Sequence, residues 1–364
     1  MNMSWTLSRY LARQFFTVVL ITFFIFLTLI FMLGLVELLR RSAEKPDISF
    51  GLIASMALLD LPRIGGKTLP FAFLFGGMAA FLRLSRNNEL VVARAAGVSV
   101  WQFITPALVV SFVIGSFVVM VYNPISATLA TQFQQLESKH LSQRSSFLAL
   151  SSNGLWLRQA DSTGQSVVHA LRIGEQGIEL YDVTIFLYSN ANAFLGRIDA
   201  REAVLKDGYW ALGDVWILLI NDQPRRYETY RQETSLTAEQ VHDSFARPDT
   251  ISFWDLPHFI QTAEAAGFSA RRYRLHFHQI LATPVLLCTM VLVAAAFSMR
   301  TARFGGVVQV ILGGIFSGFL VYFLGDLSLA LGLSGILPTL LAAWAPSAVV
   351  MLLGLAVLFH LEDG

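Results

Sequence analysis

Apolar residues in this 364-residue chain gather into six long runs, at about 15–36, 53–82, 99–122, 275–299, 307–330 and 336–360. A helix crossing a bilayer core needs roughly 20 apolar residues, and each run is close to or above that length. Three runs precede residue 123 and three follow residue 270. The pattern predicts an α-helical polytopic membrane protein with six transmembrane helices in a 3+3 arrangement. The second run is the least uniform, because Asp60, Arg63 and Lys67 interrupt its first half. Phe15 to Val36 is too long and too poorly flanked for a cleaved signal peptide, so it is expected to remain as the first helix.

Between the two blocks the period changes. Short stretches rich in Val, Ile, Tyr and Trp run over 154–159, 166–173, 178–188, 196–206, 209–212, 215–220 and 227–236. Turn-forming groups such as Asn153-Gly154, Glu175-Gln176-Gly177 and Asp207-Gly208 separate them. Regular short strands with such breaks predict a β-sandwich or jelly roll. Ser252 to Asp255 has the form of a capping box opening an amphipathic helix that Gly267 closes. The expected organisation is therefore 1–122 for helices one to three, with a connecting helix at about 83–97. A β-jelly-roll domain with flanking helical connectors follows over 123–270, and helices four to six over 271–364.

Composition agrees: 55% of residues are hydrophobic and only 14% charged, against about 25% charged in soluble domains. The net charge of +1 hides an asymmetry. Residues 123–270 hold 17 acidic and 11 basic side chains, whereas the remainder holds 8 and 15. The basic excess thus accompanies the membrane helices, where it orients them and meets anionic lipid rather than nucleic acid. With the N-terminus cytoplasmic, the inside holds Arg9, Arg13, Arg83, Arg86, Arg94, Arg300 and Arg303, and the outside Arg40, Arg41 and Lys45. Arg271, Arg272 and Arg274 run against this placement, but six spans return both termini to the same side. The single cysteine, Cys288, excludes an internal disulfide framework.

Several motifs bear on function. Gly65-Gly66-Lys67-Thr68 imitates the end of a phosphate-binding loop, but Leu61 stands where that pattern needs glycine. The chain is expected to carry no ATPase of its own and no cofactor. His276 and His278 lie two apart, a spacing that does not share a helix face, so no metal site is expected. Gly314 and Gly318 permit close helix packing. The segment from Arg83 to Gly97 reads as a short helix with an apolar stripe at Leu90, Val91 and Ala95 and with Glu89 at its start. It is expected to dock a partner that supplies force. Arg40, Arg41, Lys45, Arg63 and Lys67 gather towards the outer end of helices one and two. Asp60 can neutralise at most one of Arg63 and Lys67. A cationic rim there suits phosphorylated head groups.

The stretch from Asp60 to Pro70, followed by Arg86-Asn-Asn-Glu-Leu-Val-Val-Ala-Arg-Ala-Ala-Gly97, resembles the LptF/LptG family of lipopolysaccharide export permeases. The likeness covers the whole chain, and Asn153–Trp156, Arg272–Leu275 and Gly332–Pro338 resemble its LptG side more. It implies a transmembrane permease subunit of an ABC-type complex in the bacterial inner membrane, with 123–270 periplasmic and both termini cytoplasmic. The implied partners are an LptF-like paralogue, an LptB-like ATPase dimer that binds ATP and magnesium, an LptC-like single-span protein, and lipopolysaccharide. Helices one and five would form lateral gates. By the same resemblance Glu89 would engage the ATPase, and its neighbours Arg86, Leu90 and Arg94 are expected to join it there. Arg41 and Arg63 match basic positions of the family that would hold lipid phosphates; Arg40 and Lys67 are expected to join them as part of the cationic rim, although Lys67 has no counterpart in the family pattern. The family's arginines after helix three fall near Gln132–Gln135, with Lys139 as the available substitute.

Three other readings remain open: an LptF-like paralogue of the same complex, a secondary transporter using Asp326, and a non-transport membrane scaffold with a periplasmic β domain. Asp326 lacks a paired carboxylate, which counts against the second.

Overall fold

The computed structural model describes residues 5–43, 48–141, 147–151, 154–160, 165–173, 179–189, 193–206, 208–220, 222–234, 247–265, 269–301 and 307–362. Lys45, Arg303, Asn153, the turn at 175–177, Asp207 and Gly267 lie outside them. The chain divides into two compact units, one of residues 1–141 and 275–364 and the other of 142–274.

The first unit is helical: α1 (Trp5–Ser42), α2 (Phe50–Arg86), α3 (Glu89–Ala95), α4 (Val100–Phe117), α5 (Asn123–His140), α7 (Arg271–Thr301, most of which belongs here), α8 (Val307–Leu333) and α9 (Thr339–Glu362). Among the described residues, six helices are long and apolar enough to cross a membrane. The third is longer than the apolar run implied. A π-helical turn at Val118–Tyr122 joins α4 to α5 without a break, so the helix continues to His140.

Glycines let these helices approach closely. A Cβ on Gly76 would lie 2.8 Å from the Val19 backbone of α1, and one on Gly115 only 2.5 Å from Pro284 of α7. Gly314 and Gly318 of α8 face Met78 and Leu74 of α2, so this pair serves contact within the chain. The main helical core joins Leu11, Phe15 and Val19 with Phe73, Phe81, Leu84, Ile104, Leu287 and Val291.

The second unit holds α6 (Leu256–Ala265) and seven strands: β1 (Phe147–Ser151), β2 (Gly154–Ala160), β3 (Gln165–Ile173), β4 (Glu179–Tyr188), β5 (Phe194–Lys206), β6 (Tyr209–Leu219) and β7 (Arg225–Glu233). All pair antiparallel with the next in sequence, giving the order β1-β2-β3-β4-β5-β6-β7. The expected inserted β domain is present, and this meander specifies its strand order. The runs at 209–212 and 215–220 prove to be one strand, β6, and β1 had no counterpart in the sequence pattern.

The interruption in β6 has a cause that extends across the sheet. Along β3 to β6 buried and outward residues alternate, until two consecutive positions both face away from the core. These are Leu171 and Arg172, Tyr181 and Asp182, Arg201 and Glu202, and Gly213 and Asp214. In β4, β5 and β6 alternation resumes beyond this line, and the register is unchanged on either side, as with Val183↔Ala200 and Tyr181↔Glu202. Asp182 (φ 54°) and Asp214 (φ 50°) take the left-handed conformation at this line. Arg172 holds the first at 2.8 Å and Arg226 the second at 2.8 Å. A phase change without a register slip bends all the strands together. Residues on both sides of the crease, including Val168, Ile185 and Val215 with Leu180, Leu205 and Trp210, belong to one core.

The expected capping box at Ser252 is corrected. The first helical carbonyl belongs to Asp255, which accepts from the Phe259 amide at 2.9 Å. The Ser252 hydroxyl accepts instead from Trp254, in the turn before α6.

Candidate functional site

The segment between α2 and α4 turns at Asn88 and is capped at the end of α3 and the start of α4. Arg83 and Arg86 lie in the last turn of α2, and Asn88 then adopts φ 59°, a left-handed conformation that asparagine tolerates. α3 ends in a Schellman motif: Gly97 (φ 85°) donates to the Arg94 carbonyl at 2.9 Å and Val98 to that of Ala93 at 3.0 Å. Ser99 and Gln102 form a reciprocal capping box at the start of α4. The Ser-x-x-Gln spacing is the sequence signature of this box.

Burial corrects the expected stripe on α3. Leu90 (7% exposed) and Ala93 (8%) face the helical core, three apart on one side of the helix. Val91 (61%) and Val92 (67%) stand exposed, as do Ala95, Arg86 and Arg94. Leu90 thus anchors the segment rather than presenting itself to a partner. Glu89 is half-buried, and its Oε1 accepts from the Tyr10 hydroxyl of α1 and from Asn87 Nδ2, both at 3.3 Å. Tyr10 carries no motif that would mark it as a contact of this segment.

The cationic positions fall into two tiers. Arg40 and Arg41 share Glu37 at 3.0 and 2.8 Å, and Arg41 also reaches Glu137 of α5 at 3.3 Å. Near this end Leu38 packs with Ile53 and Met56. Arg63 lies ten residues beyond Ile53, about 15 Å farther along α2 at the helical rise. A single rim of all these residues is therefore not what the structure builds. In the deeper tier Arg63 and Asp60 form a two-point pair, with Nη2 to Oδ2 at 2.9 Å, and both side chains are mostly buried. One turn on, Lys67 is exposed and makes no ion pair among the described residues. Asp60 thus serves Arg63. Lys139 is exposed at the end of α5, beyond Gln132–Gln135.

The phosphate-loop imitation lies within α2. The π-helical turn aims Tyr122 at Gly65 and Gly66, and its hydroxyl donates to the Pro62 carbonyl at 2.8 Å. The two glycines make room for Tyr122 and for Leu27 of α1. His276 and His278 are half-buried on α7.

The family model described as "Lipopolysaccharide export system permease LptF/LptG" matches residues 9–360. The chain is 24% identical over 376 positions to the lipopolysaccharide export system permease protein LptG of Escherichia coli strain K12, covering 97% of this chain and 98% of that protein. It is 25% identical over 363 positions to the LptG protein of Haemophilus influenzae, covering 94% and 95%. A match across six spans and the intervening β domain, from Arg9 to His360, places the chain in the LptF/LptG family of lipopolysaccharide export permeases.

Proposed function

We propose that this chain is the LptG-like transmembrane subunit of a lipopolysaccharide exporter, with force supplied by a separate ATPase at α3. The observation that carries this reading is the construction of the segment 83–99. It is closed by a Schellman motif after α3 and a capping box before α4, seated in the core through Leu90 and Ala93, and tied to α1 through Glu89 and Tyr10. A push on its exposed Val91-Val92 face would reach α1, α2 and α4 together. An LptB-like dimer holding ATP and magnesium would dock there, an LptF-like paralogue would complete the cavity, and an LptC-like protein would receive the lipid.

In this reading α3 and both termini are cytoplasmic, since Tyr10 near the N-terminus touches α3. Residues about 123–270 are then periplasmic. Lipid phosphates would engage the basic tiers of α1 and α2, and ATP-driven closure would force the lipid outward. Exposing acyl chains to water costs about 0.8 kcal/mol per CH₂, so an apolar-cored β domain would suit sheltering them during transfer. The test is reconstitution with the partners in vesicles and ATP-dependent release of lipopolysaccharide to a soluble acceptor. Release that needs both ATP and Glu89 is expected. A complex that binds no ATPase and releases no lipid would point to the scaffold role.

A further inference from the structure

We propose that Lys67 of α2 and Asp326 of α8 are the halves of an ion-pair latch across the seam between these helices. A lipid phosphate opens the latch by taking Lys67 from the carboxylate. The seam is tightly packed over its first part. A Cβ on Gly314 would meet Met78, one on Gly318 would meet Leu74 and Phe71, and the Phe71 ring lies 6.2 Å from Tyr322. Each contact advances about one turn along both helices, which run in opposite directions. One further turn brings Lys67 level with Asp326.

At that level the packing ends. A Cβ on Gly325 would meet nothing, and Lys67 and Asp326 are both exposed with no ion pair joining them among the described residues. Tyr322, whose ring meets Phe71, stands four residues before Asp326 on neighbouring turns of α8, which ties the carboxylate's level to the last packed layer. Continuing the antiparallel register by one turn thus brings two opposite charges to one level of apolar helices, where a Cβ on Gly325 meets nothing.

Charges at such depth are expensive unless paired, and their attraction strengthens as water leaves. With the gap empty, closure of α8 on α2 neutralises both. A phosphate monoester offers more negative charge than one carboxylate, and a diester as much with more acceptor oxygens. Lysine is a compact cation with three rotatable donors, suited to changing partners. Phosphate capture by Lys67 would free Asp326 and part the helices, and its departure would let the pair re-form. The source of the phosphate as lipopolysaccharide rests on the permease reading; the latch itself does not.

The test uses the full complex in lipid nanodiscs, with a photoreactive residue at exposed Leu327 to capture lipid. Asp326→Asn should raise capture of lipopolysaccharide several-fold without ATP and lower its ATP-dependent release, because Lys67 has lost its rival partner. Lys67→Gln should reduce capture, and in the double variant the gain from Asp326→Asn should vanish. Unchanged capture in Asp326→Asn, or a gain that persists beside Lys67→Gln, would overturn the latch. Phosphatidylglycerol should compete for capture, and inorganic phosphate competing equally well would overturn the lipid source. A wild-type complex that releases no lipopolysaccharide would defeat the permease reading alone. Capture of phosphatidylglycerol by the Asp326→Asn variant would still decide the latch.

Discussion

The Tyr10 hydroxyl donates to Glu89 across 3.3 Å, joining two helices 79 residues apart in sequence. This carboxylate is the one expected to meet the ATPase, so under the proposed function one group would serve both the motor contact and α1. Tyr10→Phe keeps the ring and removes only the donor. Net values for such bonds of about 0.5–1.5 kcal/mol predict roughly a two- to tenfold fall in lipid released per ATP, with hydrolysis little changed. Glu89→Ala should do more, and the double variant should be no worse than Glu89→Ala. Additive losses would show that the two residues act separately.

The two sides of α3 should respond differently to substitution. Leu90→Ala opens a cavity in the helical core and should cost about 2–5 kcal/mol of stability, seen as a lower thermal midpoint of the purified subunit. Val92→Asp lies on the exposed face. It should leave that midpoint within error and abolish co-purification of the ATPase. Retention of the ATPase by Val92→Asp would move the docking surface elsewhere.

The pairing of Arg63 with Asp60 makes an opposed pair of outcomes. Arg63→Glu should weaken photocross-linking to lipopolysaccharide, and Asp60→Asn should strengthen it by releasing the guanidinium. Equal yields in both would remove Arg63 from the lipid site.

Asp214 has φ 50°, where a residue with a Cβ is strained by about 1–2 kcal/mol. Asp214→Gly relieves that strain while losing an exposed ion pair with Arg226, worth about 0–1 kcal/mol, and should leave stability near neutral or slightly higher. Asp214→Val adds a branched Cβ and loses the pair, and should lower the thermal midpoint by several degrees. A Val variant as stable as wild type would argue against the left-handed conformation.

The length of the apolar runs, the β-rich residue types with their turn groups, and a short helix-forming stretch expose the six helices, the β insertion and the helix between spans two and three, because each is a local signal. What these signals miss depends on distant residues. Tyr10 meets Glu89 only after α1 packs on α2, and Gly65-Gly66 imitates a phosphate loop because nothing local reveals that Tyr122 lies against them. The cationic residues looked like one group because sequence gives no depth. Ten residues of helix separate Ile53 from Arg63, and Glu37, Glu137 and Asp60 divide the arginines between them. Gly213-Asp214 interrupts the strand pattern because its turn-forming chemistry is local, whereas the bend it serves is shared by four strands.

That shared bend has a mechanical consequence. Because register is preserved on both sides of the line through Leu171, Asp182, Arg201 and Asp214, the strands on it cannot flex independently without breaking ladder hydrogen bonds. The sheet has one soft coordinate, the angle between its two leaves, and Arg172 and Arg226 act as stays at the spine through their pairs with Asp182 and Asp214. Widening of the apolar interior would then be an all-or-none movement of whole leaves, like a book opening on its binding.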